Sequence, residues 1–177
     1  ESSHCKLFGT TRAWNTIYDA LQVAGGSGYL ATQPYEKRLR DFRVTTIFEG
    51  TTEIHSIYPP LFVLRNLNKH MKAVHPSSTS KLVFLLKGLF GKADWKLRFH
   101  QRVMNRAARL AKANGRSVRW LLHAGLLIYG KEIQNKQFFL RRITNLSLHL
   151  YGLVAVLAKI DGAKKMGRDI SEDLNIL

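Results

Sequence analysis

The sequence predicts an all-α protein, on three observations. Apolar residues recur at helical spacing along most of the chain. No segment alternates apolar and polar residues with a period of two. Glycine, proline and asparagine punctuate the apolar stripes where helices would end.

The elements follow in order. Lys6 to Val23 carries Leu7, Ala13 or Trp14, Ile17, Leu21 and Ala24 at helical spacing. Gly25-Gly26, with Gly28 close behind, is expected to stop that helix, because glycine accepts the left-handed conformation of helix ends. Tyr29 to Pro34 is expected to turn, and Tyr35 to Arg43 to form a short helix entered through Pro34. Thr45 to Thr52 reads as irregular or extended. Thr52 to Asn68 reads as a helix that Pro59-Pro60 must kink or delay. His75 to Ser80 is polar, contains Pro76 and reads as a linker. Lys81 to Phe90 is very apolar, and residues 95–113 form an amphipathic helix that Asn114-Gly115 should end. Ser117 can cap a further helix carrying Leu121, Leu122, Leu126 and Ile128. In the last helix, Phe139 to Ile160, the residues Ile143, Leu146, Leu150, Leu153, Leu157 and Ile160 alternate by three and four. That is the seam spacing of an antiparallel helix pair.

Composition bounds the function. At 45% hydrophobic and 23% charged, with 4 Pro among 177 residues, the chain suits a packed globular protein. Cys5 stands alone, which excludes an intramolecular disulfide and a cysteine-based zinc site. The seven histidines form no helical pair with a supporting carboxylate, so no metal is expected. Met71, Met104 and Met166 read as packing residues. Every apolar run is broken before 18 residues, so no membrane-spanning helix is expected. The chain opens without Met or a signal-peptide pattern, and it is expected to be a piece of a longer protein.

Charge separates two parts. Residues 1–72 hold 9 basic and 6 acidic side chains, whereas residues 73–177 hold 19 and 6. An anionic partner is therefore expected for the second part.

The densest cluster of unusual residues lies between Gln22 and Ile54. Gly25, Gly26 and Gly28 let a backbone or phosphate approach closely. A helix carboxyl end has the wrong dipole sign for phosphate, so a plain C-cap also accounts for them. Glu49, between Phe48 and Gly50, would gain basicity if the aromatic ring desolvated it; an ordinary solvated or capping glutamate stays open. Arg40 and Asp41 read as a structural ion pair, and Arg43 as structural too.

Together these residues carry a resemblance. The runs Gln22-x-x-Gly25-Gly26-x-Gly28-Tyr29, Pro34-x-Glu36-x-x-x-Arg40-Asp41 and Ile47-Phe48-Glu49-Gly50-Thr51-Thr52-Glu53-Ile54 occur in that order. They resemble the C-terminal helical domain of flavin-dependent acyl-CoA dehydrogenases. Residues 137–157 look like the extra C-terminal helical region of the very-long-chain branch. That branch includes a close paralogue with a respiratory-complex assembly role. The resemblance covers about 1–72 and 116–160.

The resemblance implies a partial helical bundle followed by an additional helical region: 1–72, a basic linker and amphipathic helix over 73–115, then 116–177. Glu49 would be the base that removes the α-proton of an acyl-CoA thioester. Gly50 would admit the substrate close to the backbone. Thr51 and Glu53 match positions that contact FAD, and Gln22, Gly25 and Gly26 match positions that reach the FAD of a neighbouring subunit. A homo-oligomer and an electron-transfer flavoprotein partner are implied. The expected location is the mitochondrial inner membrane and matrix if eukaryotic, or the cytoplasm and membrane periphery if bacterial. The family's upstream domains have no counterpart in these residues, so the segment alone is expected to be inactive. A non-enzymatic assembly role is the competing class.

The basic segment 81–119 holds 11 basic residues and one acidic residue, Asp94. Arg98, Arg102, Arg106, Arg109 and Lys112 fall on one helical face. With the apolar run Leu82 to Phe90 and Trp95, this reads as an element for an anionic membrane surface. A solvated face over a local core stays open. Nucleic acid ranks lower, because no recognised motif is present and the apolar run has no role there.

Overall fold

The computed structural model describes residues 1–75, 77–91, 99 and 101–174. Among the described residues there are seven α-helices, two short 3₁₀ segments and no strand. The chain divides into two compact units, Glu1–Pro59 and Pro60–Leu177.

In the first unit, α1 (Ser2–Gly28) packs on α2 (Pro34–Arg43), and a 3₁₀ turn (Val44–Thr46) follows. Helix α1 is interrupted at Gly25, where φ is 59° and ψ is −146°. The glycines therefore break the helix where expected, but one more turn forms before Gly28. Helix α2 starts with Pro34 in its first turn, preceded by extended Gln33, as its sequence dictates. Arg40 pairs with Glu36 at 3.4 Å, one turn earlier, rather than with Asp41. Adjacent helical residues point apart, whereas positions four apart meet.

Helix α3 (Thr52–Val74) contributes residues 52–59 to the first unit and 60–74 to the second. It is helical through Pro59 and Pro60, where a kink or delayed start was expected. Two amide donors are still missing there, so the carbonyls of His55 and Ser56 lose their helical partners.

The second unit adds α4 (Ser78–Phe90), α5 (Arg102–Tyr129), a 3₁₀ segment (Gly130–Asn135), α6 (Gln137–Lys165) and α7 (Ser171–Leu174). In the linker expected over 75–80, residues 78–80 are already the start of α4. The Ser77 hydroxyl accepts from the Ser80 amide at 3.1 Å and caps the helix.

Helix α5 runs unbroken through Asn114-Gly115, which overturns the expected stop. The Ser117 hydroxyl donates to the Ala113 carbonyl, a mid-helix bond, and caps nothing. An interior glycine costs about 1 kcal/mol. Burial of Met104, Ala107, Ala108 and Ala111 on one α5 face outweighs it, since a fully buried large side chain contributes about 1.5–3 kcal/mol. Val103 and Leu110 are exposed, and the small alanines form the contact.

The α5–α6 hairpin is antiparallel, as the seam spacing predicts. Met104, Ala107 and Ala108 near the start of α5 pack with Leu157 and Ile160 near the end of α6. At the other end, a Cβ on Gly125 would lie 2.6 Å from Phe139, so only glycine permits this approach. Helix α6 is long and apolar enough to cross a membrane by length and composition, which the run-length reading missed. Asn145, Ser147 and His149 interrupt its apolar run but leave the mean hydropathy high. Here Leu140, Ile143, Leu157 and Ile160 bury one face of it.

Candidate active-site segment

The signature loop lies between the 3₁₀ turn and α3. Thr51 opens α3, its hydroxyl accepting from the Ile54 amide at 3.4 Å. Its carbonyl accepts the His55 amide at 3.0 Å. Buried Thr46 anchors the loop's start, where the Arg43 guanidinium donates to its hydroxyl at 3.0 Å. The Thr52 hydroxyl donates to the Thr46 carbonyl at 3.2 Å and closes the loop's base.

Between these anchors the backbone takes an unusual path. Glu49 is the non-glycine residue with positive φ among the described residues, at 54°, and Gly50 follows at 94°. A non-glycine residue in this region costs about 1–3 kcal/mol and persists only when its surroundings hold it. The ring of His55 holds it by donating from Nε2 to the Glu49 carbonyl at 3.1 Å, a geometry that requires the Nε2–H tautomer. Lys6 reaches over from α1, donating to the Phe48 carbonyl at 3.0 Å. Its ammonium lies 4.2 Å from the centroid of the Phe48 ring. Histidine reading for metals alone missed His55. Its position in the first turn of α3, six residues after Glu49, was the available signal.

The Glu49 side chain is exposed, and no hydrogen bond or ion pair engages its carboxylate among the described residues. Within this chain Phe48 does not desolvate it, since Phe48 is itself exposed. Gly50 is sterically required as well as conformationally so. A Cβ there would lie 2.9 Å from His55 Nε2. Thr51 is half-buried and Glu53 is exposed in the first turn of α3.

Gln22, Gly25 and Gly26 lie at the far end of α1; the two glycines are exposed, and a Cβ on either would meet no atom within 4 Å. The Lys6–Phe48 bond ties the Glu49 loop to the beginning of α1. At 1.5 Å per residue, Gly25 lies roughly 28 Å further along that helix. The structure thus brings Glu49, Gly50, Thr51 and Glu53 together and places Gln22, Gly25 and Gly26 elsewhere on the same unit.

On α5, Arg102, Arg106 and Arg109 are exposed and Lys112 is half-buried, opposite the packed alanine face. Arg98 and Trp95 lie outside the described residues. On α4, Leu82, Val83, Leu86 and Phe90 are exposed along one side, and Phe90 is 79% accessible. No group of histidine, cysteine or carboxylate side chains suited to a metal occurs among the described residues.

Residues 1–57 match the family model described as acyl-CoA dehydrogenase, C-terminal domain. The whole chain aligns at 27% identity with 29% of the very long-chain specific acyl-CoA dehydrogenase, mitochondrial, of Bos taurus. The human protein of the same description aligns equally, at 27% identity. An acyl-CoA dehydrogenase of Bacillus subtilis is 41% identical over 64 residues, covering 36% of this chain and 17% of the relative. Among solved structures, an acyl-CoA dehydrogenase complexed with FAD from Bacillus anthracis superposes with a TM-score of 0.65 at 29% identity. It covers 92% of this chain and 26% of that one. The chain therefore spans under a third of the length of these relatives. It is similar over its whole length to part of the very long-chain specific acyl-CoA dehydrogenases, and its residues 1–57 match the model of an acyl-CoA dehydrogenase C-terminal domain.

Proposed function

We propose that this chain supplies the catalytic-base segment of a flavin-dependent acyl-CoA dehydrogenase. The complete enzyme would oxidise long or very long acyl-CoA esters to trans-2-enoyl-CoA. The observation that carries the reading is the Glu49 loop. Its carboxylate is free of partners among the described residues, while its backbone is held at φ 54° from both sides by Lys6 and His55. A strained residue held in place and left with a free base fits a group positioned for a substrate.

The residues present fit FAD as an edge rather than a whole site. The bare backbone of Gly25 and Gly26 is open to a ligand, whereas Thr51 is half-buried with its hydroxyl engaged by the Ile54 amide. When bound, FAD supplies the hydride acceptor. Glu49 takes the α-proton at its carboxylate; beside Gly50, where the substrate was expected to pass, the His55 ring already stands. Closure of the site by upstream domains would exclude water from around Glu49. The roughly 28 Å of α1 between Lys6, which holds the Glu49 loop, and Gly25 favours the two groups serving different copies, hence a homo-oligomer. Electrons would leave to an electron-transfer flavoprotein.

Location follows the source. The mitochondrial names of the very-long-chain relatives favour the mitochondrial matrix and inner membrane for a eukaryotic protein. A bacterial one would be cytoplasmic, at the membrane periphery.

A second role attaches to residues 73–115. The exposed Arg102, Arg106 and Arg109, with the exposed apolar side of α4, favour contact with an anionic membrane surface. Conversion of long-chain acyl-CoA to trans-2-enoyl-CoA by the complete enzyme, with electron-transfer flavoprotein as acceptor, tests the enzymatic reading. Flavin retained without turnover at any chain length would leave the assembly role instead.

A further inference from the structure

The second unit holds a cleft that the catalytic-base reading does not use. It lies among the later part of α3, α4, the end of α5 and the following 3₁₀ segment, with a volume of about 670 Å³. That is within the range of sites for small organic ligands. Buried Leu64, Met71 and Ile133 form its floor with half-buried Leu126. Its polar lining consists of Arg65, Lys131, Asn68 and Gln134.

The charge is one-sided. Arg65 and Lys131 are exposed, and neither has an ion-pair partner among the described residues. No carboxylate lines the cleft among the described residues. The neighbouring Glu132 is occupied, its Oε2 accepting from Asn135 at 2.9 Å. An apolar floor beside two unpaired cations complements a ligand with a hydrocarbon tail and an anionic head. A planar guanidinium matches a carboxylate's two oxygens, and the Asn68 and Gln134 amides can donate further bonds. A cleft of this size suits one chain rather than a lipid surface.

We infer that this cleft binds a single-chain fatty-acid carboxylate, its tail against Leu64, Met71, Leu126 and Ile133 and its head at Arg65 and Lys131. The occupant would be a regulatory fatty acid, and its recognition is independent of Glu49.

Calorimetric titration of the full chain with laurate, kept below its micelle concentration, tests this. Saturable 1:1 binding is expected, weakening with added salt. Arg65→Gln combined with Lys131→Gln should weaken it at least tenfold. Both side chains are exposed, so this variant should stay folded. Dodecyltrimethylammonium, with the same tail and opposite head charge, should not bind. Phe90→Ser, on the exposed side of α4, should leave laurate binding unchanged. The inference is overturned by any of four results: no laurate binding, undiminished binding in the doubly neutralised variant, equal binding of the cationic amphiphile, or loss of binding in Phe90→Ser.

Discussion

Replacing Gly50 by alanine probes the loop that holds Glu49. Two costs follow from the geometry. At φ 94° an alanine is strained by about 1–3 kcal/mol. Its Cβ would also stand 2.9 Å from His55 Nε2, so the ring must withdraw. That would weaken the bond to the Glu49 carbonyl, worth about 0.5–1.5 kcal/mol. The sum is about 1.5–4.5 kcal/mol, local to the loop. Amide hydrogen exchange reads it at Ile47, Phe48, Ile54 and His55, whose amides are all bonded in the folded loop. Protection should fall roughly 12- to 1,600-fold. In a His55→Ala background the steric part vanishes, and Gly50→Ala should cost only the backbone strain. Protection within threefold of wild type in Gly50→Ala would refute the argument that this loop is held by the Gly50–His55 contact.

Other consequences follow from particular contacts. Ser117→Ala should change stability by less than about 0.5 kcal/mol in urea denaturation, whereas a helix-capping serine would cost about 1 kcal/mol. Leu140→Ala, at a site of 0% exposure, should destabilise the second unit by about 2–5 kcal/mol by the same method. The Ser171 amide and hydroxyl both donate to Asp169 and hold its carboxyl below the ordinary 3.8. Its folded pKa is depressed, so this support is present above the ordinary value and is lost as pH falls through the lower folded value. A carbon-13 titration of Asp169 shows the shift, and Ser171→Ala should move it upward. Neutralising Arg102, Arg106 and Arg109 together to glutamine should abolish co-sedimentation with anionic vesicles while leaving the helical circular dichroism intact.

Local chemistry made much of this protein readable from its residues. Gly25 and Gly50 both sit at positive φ, as glycines that punctuate a pattern should. The three-and-four alternation from Ile143 to Ile160 does pair α6 antiparallel with α5. What was hidden depends on tertiary partners. Asn114-Gly115 looks like a helix end until the alanine face of α5 is seen buried against its neighbours. Arg40 chose Glu36 over its sequence neighbour because only the residue one turn away faces it. The exposure of Glu49 was also invisible, since desolvation depends on what packs beside Phe48 rather than on adjacency in sequence. Lys6 joins the site through a contact that no motif spacing encodes.

The central claim is that Glu49 is the base. Its direct test is single-turnover flavin reduction by a long-chain acyl-CoA under anaerobic conditions, comparing the complete enzyme with its Glu49→Gln variant. Loss of a positioned general base should slow bleaching by about 10²- to 10⁴-fold, with acyl-CoA binding retained. Bleaching at the wild-type rate in Glu49→Gln would contradict the account and assign the proton to another group.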